Sequence, residues 1–195
     1  MFGKEDVSQL VECAKRALEA EDRYLTDCFK RRNWRSRPEG IRANINERYY
    51  QFIIWRELMC SFRWRPVTER GGYDLTFFDD ESDGLVARAE IKGVWSKYGE
   101  AELPGIKEDM RDKLGVLAVP GVMLILTGQA VEDAKKNLCW LACELGVDRN
   151  EMIVSSFPTT PWPGDNRETE FAVIGFLVAS EASPPSAPQS PAPSP

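Results

Sequence analysis

Residues 122–127 read VMLILT, six consecutive residues with no charge among them. A strand that buries one face alternates apolar with polar side chains. An unbroken apolar run of this length, opened by Gly121, suits a strand covered on both faces. That segment asks for a layered α/β architecture, and the rest of the chain supplies the layers. A first helix is predicted from about Lys4 to Phe29, with Val7, Leu10, Val11, Ala14, Leu18 and Leu25 along one face. A loop with Pro38 and Gly40 ends it, and a second helix, apolar almost all round, starts at Asn44 as N-cap and runs to Phe62. Three strands follow, Arg63 to Thr68, Tyr73 to Phe78 and Leu85 to Val94. Gly71-Gly72 and DDESDG (79–84) separate them, so they read as an antiparallel meander. A third helix spans Pro104 to Leu117 and a fourth Val131 to Leu145, stopped by Gly146. The strands MIVSSF (152–157) and FAVIGFLVA (171–179) flank a proline-rich loop over 158–163.

The chain divides into an N-terminal helix and basic loop (1–43), a main unit (44–178) and a tail (179–195). The tail holds six prolines, five serines and one charge, which gives it nothing to bury, so it reads as disordered. No apolar run approaches the roughly 18 residues of a membrane span, and the start, MFGKEDVSQL, is too polar for a signal peptide. A soluble, cytoplasmic protein with no membrane partner is the expectation.

The 195 residues include no histidine. That removes Ser-His-Asp and Cys-His catalysis, His-ligated zinc and histidine-based nucleases. Acid–base work falls to carboxylates, lysine or tyrosine, and a catalytic metal would need oxygen ligands, which favours Mg²⁺, Mn²⁺ or Ca²⁺. Cys13, Cys28, Cys60, Cys139 and Cys143 form no C-x-x-C pair and read as reduced, mostly packed thiols. Trp140 is read as packing too.

Formal charge is −6 overall, yet it is uneven. Between Lys30 and Arg70 eleven basic residues, ten of them arginine, face four acidic ones, a local +7 against −13 elsewhere. Arginine matches phosphate forks and aromatic faces, and Trp34, Trp55 and Trp64 are interleaved with these arginines. The stretch reads as a phosphate-tracking face with stacking groups, carried by Arg31, Arg32, Arg35, Arg37 and Arg48.

The chemistry gathers on the meander. Asp74 opens the second strand, and Glu90 and Lys92 lie two apart on the third, so they share a face while Ile91 points into packing. Two carboxylates on one point repel each other, and a divalent cation relieves the repulsion. A lysine beside them can orient or deprotonate the attacking water, or neutralise charge developing on a phosphate. Glu47 lies within about 20° of Ile54 and Leu58 on the second helix, whereas Glu57 lies about 80° away, so Glu47 is the carboxylate expected to face the sheet. Glu69, just before the turn to Asp74, competes for that role. The turn DDESDG lacks the twelve-residue register of a calcium loop and reads as solvated, and Lys107, Asp109 and Lys113 of the third helix read as a charged outer face in preference to a helper of the site.

The phrases NERYY (46–50), GGYDL (71–75) and AEIKG (89–93), in the order helix, three strands, helix, strand, resemble the PD-(D/E)XK or restriction-endonuclease-like nuclease superfamily. The pattern is nearest to its Holliday-junction-resolvase-like and Mrr-like branches. The resemblance covers about Asn44 to Gly128, with Tyr73 where proline is common. It implies an α/β restriction-endonuclease-like core with an added N-terminal helix and C-terminal helix and strands. It further implies a metal-dependent DNA endonuclease that could form a homodimer. Asp74, Glu90 and the Ile91 carbonyl would hold Mg²⁺ or Mn²⁺, Lys92 would serve the attacking water, and Glu47 would complete the catalytic set. The alternative is a catalytically silent module on the same scaffold, binding nucleic acid or a protein partner.

Overall fold

The structure is a computed structural model that describes residues 1–32, 40–43, 46–94, 100–160 and 167–180. Its centre is a six-stranded, mostly antiparallel sheet, accompanied by four α-helices among the described residues. The strands are β1 (Arg65–Arg70), β2 (Tyr73–Phe78), β3 (Leu85–Val94), β4 (Gly121–Ala130), β5 (Ile153–Thr159) and β6 (Thr169–Val178), in spatial order β1-β2-β3-β4-β6-β5. β1, β2 and β3 form the expected antiparallel meander. β4 returns parallel to β3, with Gly121 level with Arg88, and among the described residues this is the one parallel pair. A parallel return needs a crossover, and the helix α3 (Leu103–Glu108) provides it.

The VMLILT run behaves as its composition requires. Val122, Leu124 and Leu126 join one buried cluster and Met123 and Ile125 the other. The first cluster lies under α1 (Lys4–Arg32) and α2 (Glu47–Ser61) and contains Val7, Leu10, Leu18, Tyr50, Ile54, Phe77 and Phe171. The second lies under α3 and α4 (Ala134–Leu145) and contains Ile106, Leu114, Leu141, Ile174 and Phe176. α1 thus shares a core with α2. It approaches β6 so closely that a Cβ on Gly175 would sit 2.5 Å from Val11 Cγ2.

Several boundaries differ from the sequence reading. α2 starts at Glu47 because Asn46, not Asn44, is its N-cap: Asn46 Oδ1 accepts from the Arg48 and Tyr49 N–H groups. β1 starts at Arg65 because the buried Asp6 carboxylate holds Arg63 Nε (2.6 Å) and Trp64 Nε1 (3.0 Å) against α1. α1 runs three residues further than expected, to Arg32. The third helix is α-helical only to Glu108 and continues as a π turn over Asp109–Leu114, closed by Gly115 N–H donating to Met110 O at 2.7 Å. A short 3-10 turn (Val131–Asp133) precedes α4, and Gly146 ends that helix in the left-handed region at φ 66°. The thiols are more open than expected. Cys13 is buried and Cys28 half-buried, but Cys60, Cys139 and Cys143 are exposed. Trp140 does pack against the second cluster. No helix among the described residues is long and apolar enough to cross a membrane. The tail beyond Ser180 and the proline-rich loop with Trp162 lie outside the described residues.

Candidate active site

The site arises where the β2–β3 ladder ends. The backbone pairing of β2 with β3 ends at Leu75 opposite Ala89, although β2 itself continues to Tyr73. The N–H groups of Ile91 and Gly93, two residues apart, leave β3 towards the same edge, and buried backbone donors need acceptors. Two carboxylates supply them. Asp74 Oδ2 accepts from Ile91 N–H at 2.7 Å, and Glu47 Oε1, from the first turn of α2, accepts from Gly93 N–H at 3.0 Å. Gln51, one turn further along α2, donates to the Asp74 carbonyl at 2.6 Å and ties helix to strand at that corner.

Glu90 and Lys92 leave β3 on the α3 side of the sheet, since Ile91 is buried in the α1/α2 cluster. Continuing the register of Leu75 opposite Ala89 brings Asp74 level with Glu90. Glu90 is only 2% exposed, and its Oε1 is buried with no hydrogen-bond partner. Its other oxygen, Oε2, lies 3.3 Å from Lys113 Nζ. Lys92 Nζ contacts Asp109 Oδ2 at 2.7 Å, and Lys113 Nζ reaches Asp109 Oδ1 at 3.0 Å. The expectation that Asp109 and Lys113 form a charged outer face is therefore wrong: Asp109 is buried, and both turn towards β3. A sequence signal existed. Asp109 and Lys113 stand three and seven residues after the buried Ile106, on the inward stripe of that helix.

Desolvation, reinforced by the charge of Asp74, pushes the Glu90 carboxyl up to about 7. Desolvation also raises Asp74, against the opposing effects of the Ile91 N–H and the Lys92 charge. Burial works against the Lys92 ammonium, but the hydrogen bond and charge of Asp109, with the charges of Glu47 and Glu90, outweigh it and hold its pKa above the ordinary lysine value. Lys92 thus stays protonated at neutral pH, and of the roles read from sequence it suits neutralising charge rather than removing a proton. Arg88, two residues before Glu90 on β3, lies 4.4 Å over the Tyr73 ring, with a buried, unpartnered Nε.

Among the described residues, no three His, Cys, Asp or Glu side chains are grouped to enclose a metal ion. What the site offers instead is two carboxylates, one with a buried unpartnered oxygen, and a strand edge carrying the Ile91 carbonyl. Glu47, Asp74, Glu90 and Asp109 against Lys92 and Lys113 leave a formal −2 when all are ionised. An all-oxygen donor set with that charge fits a hard divalent cation, which binds through one or two carboxylates and completes its shell with water or substrate oxygen.

The basic stretch is partly neutralised by acids distant in sequence. Arg63 pairs with Asp6, Arg65 with Asp80 and Asp83, and Arg56 lies 3.8 Å from Glu21. Trp55 and Trp64 are likewise committed, their indole N–H groups donating to Pro66 O and Asp6 Oδ1, so neither is the free stacking group expected from sequence. Arg31 is exposed at the end of α1 and Arg48 on the first turn of α2. The Arg32 side chain, Arg35, Arg37 and Trp34 lie outside the described residues. Glu57 is engaged by Arg16 at 2.8 Å on the α1/α2 seam, and Glu69 is exposed at φ 55°. Asp79 Oδ1 caps the DDESDG turn by accepting from Glu81 and Ser82 N–H, as a solvated hairpin turn requires. In comparisons with family models, with curated proteins and with solved structures, the chain matches none.

Proposed function

We propose that this protein is a divalent-cation-dependent nuclease of the restriction-endonuclease-like kind that its motifs resemble, hydrolysing phosphodiester bonds in DNA. The observation that carries the reading is Glu90, a carboxylate buried beside a second one, with one oxygen left without a partner. Lys113 reaches only one of its oxygens and burial favours the protonated form, so a divalent cation at the other oxygen would let the carboxylate ionise there. The order helix, antiparallel meander, crossover helix and parallel strand supports the same reading, with the acids on β2 and β3 beside the ladder's end.

Asp74, Glu90 and the Ile91 carbonyl would hold Mg²⁺ or Mn²⁺. Bound there, such an ion supplies Lewis acidity towards a phosphate oxygen and makes water a stronger acid. The chain's own groups do the rest. Asp74 and Glu90 gather and orient, each fixed by β3 or its crossover helix. Glu47, at the open strand edge, orients the attacking water through its carboxylate. Lys92, kept cationic by Asp109, donates to the phosphate as its negative charge grows. Lys92→Ala should therefore lose turnover by roughly 100-fold or more, a scale typical of one positioned group, while calorimetric Mn²⁺ affinity stays close to that of the parent. Equal turnover in the two chains would sink this role.

With Arg56, Arg63 and Arg65 engaged by acids, phosphate contact falls to Arg31, Arg32, Arg35, Arg37 and Arg48. Each one neutralised should lower the slope of log K against log salt by roughly 0.7–0.9 for DNA binding. Unchanged affinity and slope after neutralising Arg31, Arg32 and Arg35 together would mark the stretch as a solvated face.

A further inference from the structure

Lys113 stands in an unusual place for a surface lysine. Its Nζ is shared between Asp109 Oδ1 at 3.0 Å and Glu90 Oε2 at 3.3 Å. Its side chain is 40% exposed, so the ammonium reaches the buried Glu90 from solvent on a four-carbon stem. Asp109 is doubly served, by Lys113 and by Lys92 at 2.7 Å. Glu90, by contrast, has Lys113 as its one ion-pair partner among the described residues and keeps Oε1 unpartnered. The π turn over Asp109–Leu114 carries both Asp109 and Lys113, and widened turns of this kind recur where helical side chains serve a site.

We infer that Lys113 is a built-in competitor of the divalent cation, its ammonium neutralising Glu90 and withdrawing onto Asp109 when a cation takes that carboxylate. The inference rests on the reading of Asp74 and Glu90 as cation ligands and adds how occupancy there is governed. Two positive charges on one carboxylate repel, so entry of the cation is coupled to release of Lys113 from Glu90. Asp109 supplies the place to which the ammonium retires, already 3.0 Å away. The exchange breaks and forms only ion pairs, and it sets a threshold on cation concentration. It also places a cationic side chain, free of Glu90, beside the phosphate-binding position once the cation is in.

The sign of one measurement separates this from ordinary support of a ligand. Calorimetric Mn²⁺ titrations of the full chain, run beside Lys113→Gln, should give roughly tenfold or tighter binding in the variant, because a like charge has been removed. Melting without a cation should show the variant less stable than the parent, with Mn²⁺ closing the gap. If Lys113 instead positions Glu90, its loss should weaken Mn²⁺ binding by about 10- to 100-fold, which overturns the inference. Equal affinities overturn it too, and in both cases the carboxylate site itself stands, provided Asp74→Asn abolishes binding. Absence of Mn²⁺ binding by parent and variant alike overturns the cation reading together with the inference. Lys113→Met, of similar length and uncharged, gives the same comparison should Lys113→Gln fail to fold.

Discussion

Glu90→Gln should abolish cation-dependent hydrolysis and, in the same protein kept free of divalent ions, remove most of the pH dependence of stability between about pH 4.5 and 7. Burial first, and the neighbouring Asp74 charge second, raise this carboxyl to about 7 in the folded chain. In the unfolded chain it titrates near about 4.3. Between those values the folded state holds the proton that the unfolded state has lost, so stability falls as pH rises through the window. The full fall corresponds to about 4 kcal/mol and is complete above pH 7. Asp74, also raised by desolvation, pulls in the same direction. Asp109, lowered by Lys92 and Lys113 against its own burial, has its contribution in place above the ordinary carboxyl range and adds no slope within the window. Urea denaturation from about pH 4 to about pH 9 in the presence of a chelator checks this: a steep parent and a flatter Glu90→Gln chain are expected. Adding Mn²⁺ should flatten the parent as well, because the ion favours the charged carboxylate. Parallel profiles for the two chains would mean that Glu90 is not the group that titrates.

Glu47→Gln should remain folded and lose at least ~100-fold in turnover. The substitution keeps an acceptor for the Gly93 N–H, 3.0 Å away, so the strand edge stays closed, while the charge is lost. Glu57→Gln and Glu69→Gln are the controls. Glu57 serves Arg16 and Ser61 on the outer seam of α1 and α2, and its pKa is lowered by that Arg16 hydrogen bond against desolvation. Glu69 is exposed at the tip of the β1–β2 hairpin. Both control chains should cleave at close to the parental rate. A nearly normal Glu47→Gln enzyme beside a dead Glu69→Gln one would move the role across the hairpin.

Much of this arrangement is written locally. The strands Tyr73–Phe78 and Leu85–Val94 match their sequence reading to the residue, because Gly71-Gly72 and the Asp79–Gly84 turn bracket them. The placing of Asp74 level with Glu90, and of Glu47 rather than Glu57 at the end of β3, was legible from two periodicities, two residues along a strand and about 100° per residue along a helix. What escaped the sequence is non-local. Nothing near Arg63 or Arg65 in the chain announces Asp6, Asp80 or Asp83, so a run that reads as +7 proves partly neutralised. The π turn shifts hydrogen bonding by one residue without leaving a mark in the apolar pattern. The inward turn of Asp109 and Lys113 was legible in their spacing from Ile106, but their charge made a solvated face the easier reading. The choice between Asn44 and Asn46 as N-cap was likewise invisible to composition, since both are good caps two residues apart.

If Asp74, Glu90 and Lys92 form a working nuclease centre, as proposed, cleavage itself tests it. Labelled duplex, single-stranded, flap and four-way-junction DNA, with RNA alongside, should be incubated with the parent and with Asp74→Asn, in Mg²⁺ and in chelator. Products are expected from at least one DNA substrate with the parent in Mg²⁺, none in chelator and none with Asp74→Asn. No product from any substrate, or products that persist in Asp74→Asn, would contradict it.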